Sequence, residues 1–155
     1  MHFEDYAVKG NEFLNSLAFE LGGKNYKESA ARLTRCVFRV LRNCLTPEES
    51  LELLAQLPMA LKAVYVDGWQ LPKRNAHPRR EEDFISLVMK EDGLAAYRDF
   101  SNEADARQSV KIFFGVLGNY VSGGQMREMI GVLPSGIRSL LEDDAVSNRI
   151  NSLNL

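Results

Sequence analysis

Apolar residues recur along this chain at the three-and-four spacing of helices, and glycine, proline and capping residues punctuate the runs. Phe3, Tyr6, Phe13, Leu14, Leu17 and Leu21 share one helical face, and Gly22-Gly23 ends the run. Gly10 lies inside it and costs about 1 kcal/mol against alanine, so a kink or break is expected there. From Lys27 to Cys44 a second long helix is expected, with Leu33, Val37, Val40, Leu41 and Cys44 on its apolar arc. Thr46-Pro47-Glu48-Glu49 joins an N-cap threonine, a proline at the first helical position and a glutamate at the third. That capping box opens a short helix through Gln56. Leu57-Pro58 then restarts the chain as another short helix, closed by Asp67-Gly68. The β-branched residues nowhere alternate for long, so strands find little support.

Residues 70–80 break the pattern. Pro72 and Pro78 exclude a continuous helix, and Lys73, Arg74, Arg79 and Arg80 make the stretch basic, which marks a linker. After it Phe84, Ile85, Val88 and Met89 begin a new amphipathic helix that Gly93 ends.

The second half echoes the first. Leu57-Pro58 returns as Leu133-Pro134, an offset of 76, and at that offset Val40-Leu41 meets Val116-Leu117 and Leu61 meets Ile137. The capping box returns as Ser122 to Gln125. Phe13-Leu14 matches Phe84-Ile85 at an offset of 71, so the second copy carries five extra residues, expected near Leu94 to Asn102. A dipeptide, a capping box and an apolar pattern in one register point to a duplication. The expected fold is therefore all-α: a duplicated unit of two long and two short helices, packed as one helical-bundle domain over residues 1–155. The first repeat covers about 3–69, the linker 70–80, the second repeat about 81–144, and a polar tail, expected to fray, 145–155.

The run Leu53-Leu54-Ala55-Gln56-Leu57-Pro58, followed by Tyr65 and Asp67-Gly68-Trp69, resembles the bacterial family catalogued as domain of unknown function 2267. The basic, proline-broken linker before Phe84 and the second Leu133-Pro134 fit the same pattern. The resemblance implies an all-helical duplicated fold. It brings no catalytic residue and no cofactor.

Composition excludes some functions. A net charge of −2 argues against a strongly basic nucleic-acid binder. The charge is polarised, however: eight basic and eight acidic residues in 1–66, four against one in 67–80, and seven against twelve in 81–155. The acidic start at Met1-His2-Phe3-Glu4-Asp5 lacks the features of a secretory signal, and no run approaches a membrane span, so a cytoplasmic location without membrane contact is expected. Cys36 and Cys44 stand about 12 Å apart along one helix, too far for a disulfide, and read as small core residues.

Catalytic and metal motifs are missing: no glycine-rich phosphate loop, no nucleophile elbow, no paired zinc histidines, and only His2 and His77. No cofactor, no metal and no catalysis are expected. Glu81-Glu82-Asp83 suits the start of a helix dipole, and Glu142-Asp143-Asp144 reads as solvated chain. Trp69 is either an anchor for a partner or an aromatic lid folded back over the core, with the second preferred. Arg32, Arg35, Arg39 and Arg42 fall within an arc of about 80° opposite the apolar arc. Such a stripe grips anions or an acidic partner, or is simply solvated and paired with acids such as Glu28. The second copy holds Gln108, Lys111, Gly115 and Gly118 there, with the glycines expected to permit close backbone packing. The candidate interaction surface is thus Arg32, Arg35, Arg39, Arg42, Trp69, Lys73 and Arg74. The leading expectation is a module that binds a protein or peptide, or a second copy of itself as a homodimer. Anion or nucleic-acid binding is the alternative.

Overall fold

A computed structural model describes residues 1–71 and 77–142. The described chain is helical, and its single β-type contact is one isolated parallel bridge between Arg80 and Gly136. Its helices are α1 (Phe3–Leu21), α2 (Lys27–Cys44), α3 (Pro47–Gln56), α4 (Met59–Val66), α5 (Glu81–Asp92), α6 (Ala96–Asp99), α7 (Glu103–Leu117), α8 (Gly123–Val132) and α9 (Ser135–Arg138). Short 3-10 turns precede α2 at Lys24–Tyr26 and α6 at Gly93–Ala95.

Local chemistry sets most of these boundaries. Gly22 takes φ 152°, open to glycine, and its N–H and that of Gly23 bond the Ala18 carbonyl, closing α1. Thr46 Oγ1 accepts the Glu49 amide of α3 at 3.2 Å, and Ser122 Oγ accepts the Gln125 amide of α8 at 3.1 Å. Pro58 and Pro134 start α4 and α9 with nearly the same backbone angles, φ −54° in both and ψ 147° and 141°. Between α5 and α7 the chain forms the second 3-10 turn and α6.

Two glycine expectations are corrected. Gly10 does not break α1, which runs unbroken from Phe3 to Leu21. It lets α4 approach: a Cβ there would lie 2.6 Å from the Ala60 Cβ. At Gly115 of α7 and its C-cap Gly118, by contrast, no other described helix brings its backbone within 4 Å of where a Cβ would sit. A Cβ at Gly115 would meet nothing within 4 Å, and one at Gly118 only the carbonyls of its own helix.

The core is a single apolar cluster shared by both halves. α2 packs on α1, α4, α5 and α7, while α3 meets α8. Edge-to-face rings run through it: Trp69 on Tyr65 at 5.8 Å, Tyr65 on Phe38 at 5.2 Å, Phe38 on Phe113 at 5.5 Å, and Phe113 on Phe13 at 6.0 Å. The polar end of Tyr65 is matched inside that core by the Ser50 hydroxyl at 2.7 Å. The described end of the linker is docked rather than loose. Pro78 is buried, and a Cβ at Gly136 would collide with the Arg79 carbonyl, so only glycine admits the crossing.

Candidate functional site

The arginines of α2 do not form an open stripe. Arg32 grips Asp99 of α6 with both branches of its guanidinium, Nε to Oδ2 at 2.8 Å and Nη2 to Oδ1 at 2.6 Å. Ser29 Oγ donates to the same Oδ1 at 2.8 Å. Arg39 pairs with Glu91 near the end of α5 at 3.5 Å. Arg42 donates to the carbonyls of Tyr65 and Asp67 at 2.9 Å each, tying down the open end of α4. Burial and the neighbouring Arg39 charge lower its pKa. Arg35 is the exposed member, and its charge acts on Cys36 and Asp92. The expected face is thus largely overhung by α5, α6 and α4. A stripe opposite the apolar arc is not the same as a stripe facing water.

Trp69 is half-buried, with its ring edge-on to Tyr65. Lys73 and Arg74 lie outside the described residues, as do Asp143, Asp144 and the tail from Ala145.

The polar centre of the molecule lies where α2, α5 and α6 meet. Asp92, the last residue of α5, is 6% exposed, and its Oδ2 has no hydrogen-bond donor. The Cys36 thiol points at Oδ1 from 3.9 Å. Burial pushes the Asp92 carboxyl up to about 6, and the hydrogen bond and charge of Asp99 push the same way. Burial also acts upward on Asp99, but the hydrogen bonds of Arg32, Asp92 and Ser29 outweigh it and hold that carboxyl down at about 2. Two aspartates within one cluster are thereby shifted in opposite directions. Burial raises both thiols to about 12, so neither Cys36 nor Cys44 is a thiolate near neutral pH.

Beside this cluster, Tyr26, Ser29, Asp99, Phe100, Asp105 and Ser109 line a cavity of about 250 Å³. On the outer side of the same segment Leu94 and Tyr97 are each 90% exposed. A separate tie crosses the other side of the molecule. Glu81 at the start of α5 pairs with Arg107 of α7 and accepts Ser139 Oγ at 2.8 Å, which lowers its pKa despite burial. Glu81 therefore does more than complement the dipole of α5.

Sequence reasoning missed Asp92, Asp99, Leu94 and Tyr97. The signal that could have found them was the stretch Leu94 to Asn102, where the offset between similar residues of the two halves changes. Among the described residues no cluster of histidine, cysteine and carboxylate side chains could hold a metal ion. None of the described helices is long and apolar enough to cross a membrane.

No curated protein matches the chain. The model of one family, described as "Uncharacterized conserved protein (DUF2267)", matches residues 10–140, and the chain belongs to that family.

Proposed function

We propose that the domain is a non-enzymatic interaction module that recognises a protein or peptide through the outer edge of α6 and the turn before it. One observation carries this: Leu94 and Tyr97, three residues apart, are both 90% exposed while their neighbour Phe100 is buried. A short segment is thus held firmly from behind while it offers an apolar and an aromatic side chain to solvent. Aromatic anchors on a fixed support are the residues that dominate binding energy at interfaces. The arginines of α2 are set aside as the main docking surface because Arg32, Arg39 and Arg42 already have partners within the domain. Anion or nucleic-acid binding through them would first have to break those contacts.

The test is a comparison between the wild type and the double variant Leu94→Ser/Tyr97→Ser. Both positions are exposed, so melting should change little. Proteins cross-linked to the wild type in the native cell should be lost from the variant and retained by Phe19→Ser, which alters another exposed ring on α1. Unchanged cross-linking by the double variant would end the proposal. If the wild type is a dimer in sedimentation and the double variant a monomer, the partner is a second copy of the chain. A duplicated ancestry belongs to the same proposal. It is supported by the matched caps at Thr46 and Ser122 and the matched angles at Pro58 and Pro134.

A further inference from the structure

The cavity beside α6 holds a polar group that the fold does not use. Ser109 of α7 is 8% exposed and lines the cavity, yet its hydroxyl makes no hydrogen bond among the described residues. A hydroxyl inside a helix ordinarily returns to the carbonyl four residues back, as Thr34 Oγ1 of α2 does to Ala30 at 2.8 Å. Ser109 does not. A buried hydroxyl without a partner is costly, and the space in front of this one is the cavity.

Unmatched charge stands around the same space. Asp105, one turn before Ser109 on α7, gives Oδ2 to the Ser101 amide at 2.9 Å, and its Oδ1 accepts no bond among the described residues. Arg98 of α6 also lines the cavity and forms no ion pair among the described residues. The other carboxylate of the lining, Asp99, is already committed, because Arg32 holds both of its oxygens and Ser29 donates to one of them. The charges left over are therefore one acid and one base. A purely cationic ligand would leave Arg98 unmatched, a purely anionic one would leave Asp105 unmatched, and a ligand bearing both charges satisfies both. Leu33 and Phe100 add a buried apolar wall. At about 250 Å³ the cavity is smaller than the roughly 300–1,000 Å³ that take drug-sized ligands, so its occupant is a small molecule.

We propose that this cavity binds a small zwitterion of the free amino-acid class. The ammonium group donates to Asp105 Oδ1 and to the Ser109 hydroxyl, the carboxylate meets Arg98, and the carbon chain lies against Leu33 and Phe100. Because the lining comes from α2, α6 and α7 together, the bound molecule braces the single turn of α6 between the two long helices. The site does not depend on whether Leu94 and Tyr97 meet a partner.

The test is a titration of the whole protein followed by amide NMR. The probes are the free L-amino acids, one at a time, each compared with its N-acetyl and its carboxamide form. At least one free amino acid should shift the Ser101, Asp105 and Ser109 amides saturably, with a Kd of about 1 mM or tighter. N-acetylation removes the ammonium charge and amidation removes the carboxylate, and each should weaken binding about tenfold or more. Asp105→Asn keeps an oxygen for the Ser101 amide and should weaken the free amino acid by a similar factor. Ser109→Ala should weaken it about fivefold. No saturable shift with any free amino acid up to about 10 mM overturns the site. Equal binding of the free and carboxamide forms overturns the zwitterion, and unchanged affinity in Asp105→Asn overturns the assigned ammonium contact. Should Asp105→Asn fail to fold, Arg98→Gln gives the second reading. It must weaken the free amino acid and leave its carboxamide unaffected, and equal effects on the two count against the proposal.

Discussion

α2 and α7 are the two long helices at the centre of the core, and their outer faces are held in different ways. On α2 the outer face carries four arginines, and three of them reach across to α6, α5 and the end of α4. At the positions 76 residues further on, α7 and its C-cap offer Gln108, Lys111, Gly115 and Gly118, with no guanidinium among them. Its charged tie, Arg107 to Glu81, leaves from a different side of the helix. The difference follows from what overhangs each helix. α6 and the end of α5 lean over α2, and their carboxylates and the open carbonyls of α4 demand donors. Arginine on such a face is a tether, because its long stem and rigid fork span the gap between packed helices. The contrast explains the asymmetry of the stripe without any ligand.

The broadest test separates the halves. Phe13 and Phe38 of the first half pack on Phe113 and Tyr120 of the second, so the fragment 1–69 would expose a wide apolar surface. It should be unfolded or self-associated in circular dichroism and sedimentation. A monomeric fragment with a cooperative melt would show that the two halves are independent domains.

Within the intact chain, Arg32→Ala should have the largest single effect among the outer-face residues. It leaves Asp99, with its side chain 4% exposed, without its main partner, and should cost about 2–3 kcal/mol in urea unfolding. Lys111→Ala on α7 should stay within about 0.5 kcal/mol. Equal losses at the two positions would erase the distinction between tether and solvated face. The Arg32 contribution should also be acid-sensitive. Asp99 is held below its unfolded value, so its stabilisation is complete above about pH 4 and disappears as pH falls toward about 2.

How much of this was legible depends on whether the cause was local. The capping boxes, the Gly22-Gly23 stop and the Leu-Pro restarts are decided by a few adjacent residues, so the helix boundaries of α1 to α5 followed from them. Gly10 was misjudged because propensity is a local penalty, whereas the gain comes from Ala60, fifty residues away in the chain. The four arginines of α2 were read as one face, and the partners of three of them were hidden. Asp99 lies sixty-seven residues from Arg32, in a one-turn helix with little periodicity to betray it. The orphan oxygen of Asp92 is a product of packing and had no sequence signal of its own.

Glycine gives a sharper version of the comparison. Gly10→Ala drives a methyl group to 2.6 Å from the Ala60 Cβ, so α1 and α4 must separate, at a cost of about 1–3 kcal/mol. Gly115→Ala in α7 meets nothing within 4 Å and removes a flexible residue from a helix interior, which should stabilise by about 0.5–1 kcal/mol. The two substitutions are chemically identical and should move the melting temperature in opposite directions. A shared sign would mean that one of these helix environments is wrongly drawn.

The smallest expected effects lie at the two caps, where the halves come closest to being alike. Thr46→Ala and Ser122→Ala each remove one side-chain acceptor from a helix start and should each cost about 1 kcal/mol. The helices behind the caps differ. α3 begins with Pro47, whose φ is preset, and has Glu48 and Glu49 in its first turn to complement the dipole. α8 begins with Gly123-Gly124, which carry no charge and lose more backbone freedom on ordering. Losing the cap should therefore fray α8 further than α3, even where the global costs are equal. Hydrogen exchange reads this directly at two matched amides: Ser50, bonded to the Thr46 carbonyl at 2.9 Å, and Met126, bonded to the Ser122 carbonyl at 3.0 Å. Met126 should lose more protection in Ser122→Ala than Ser50 loses in Thr46→Ala. The reverse order would show that packing of α3 against α8, rather than the residues of each first turn, decides how firmly these helices begin.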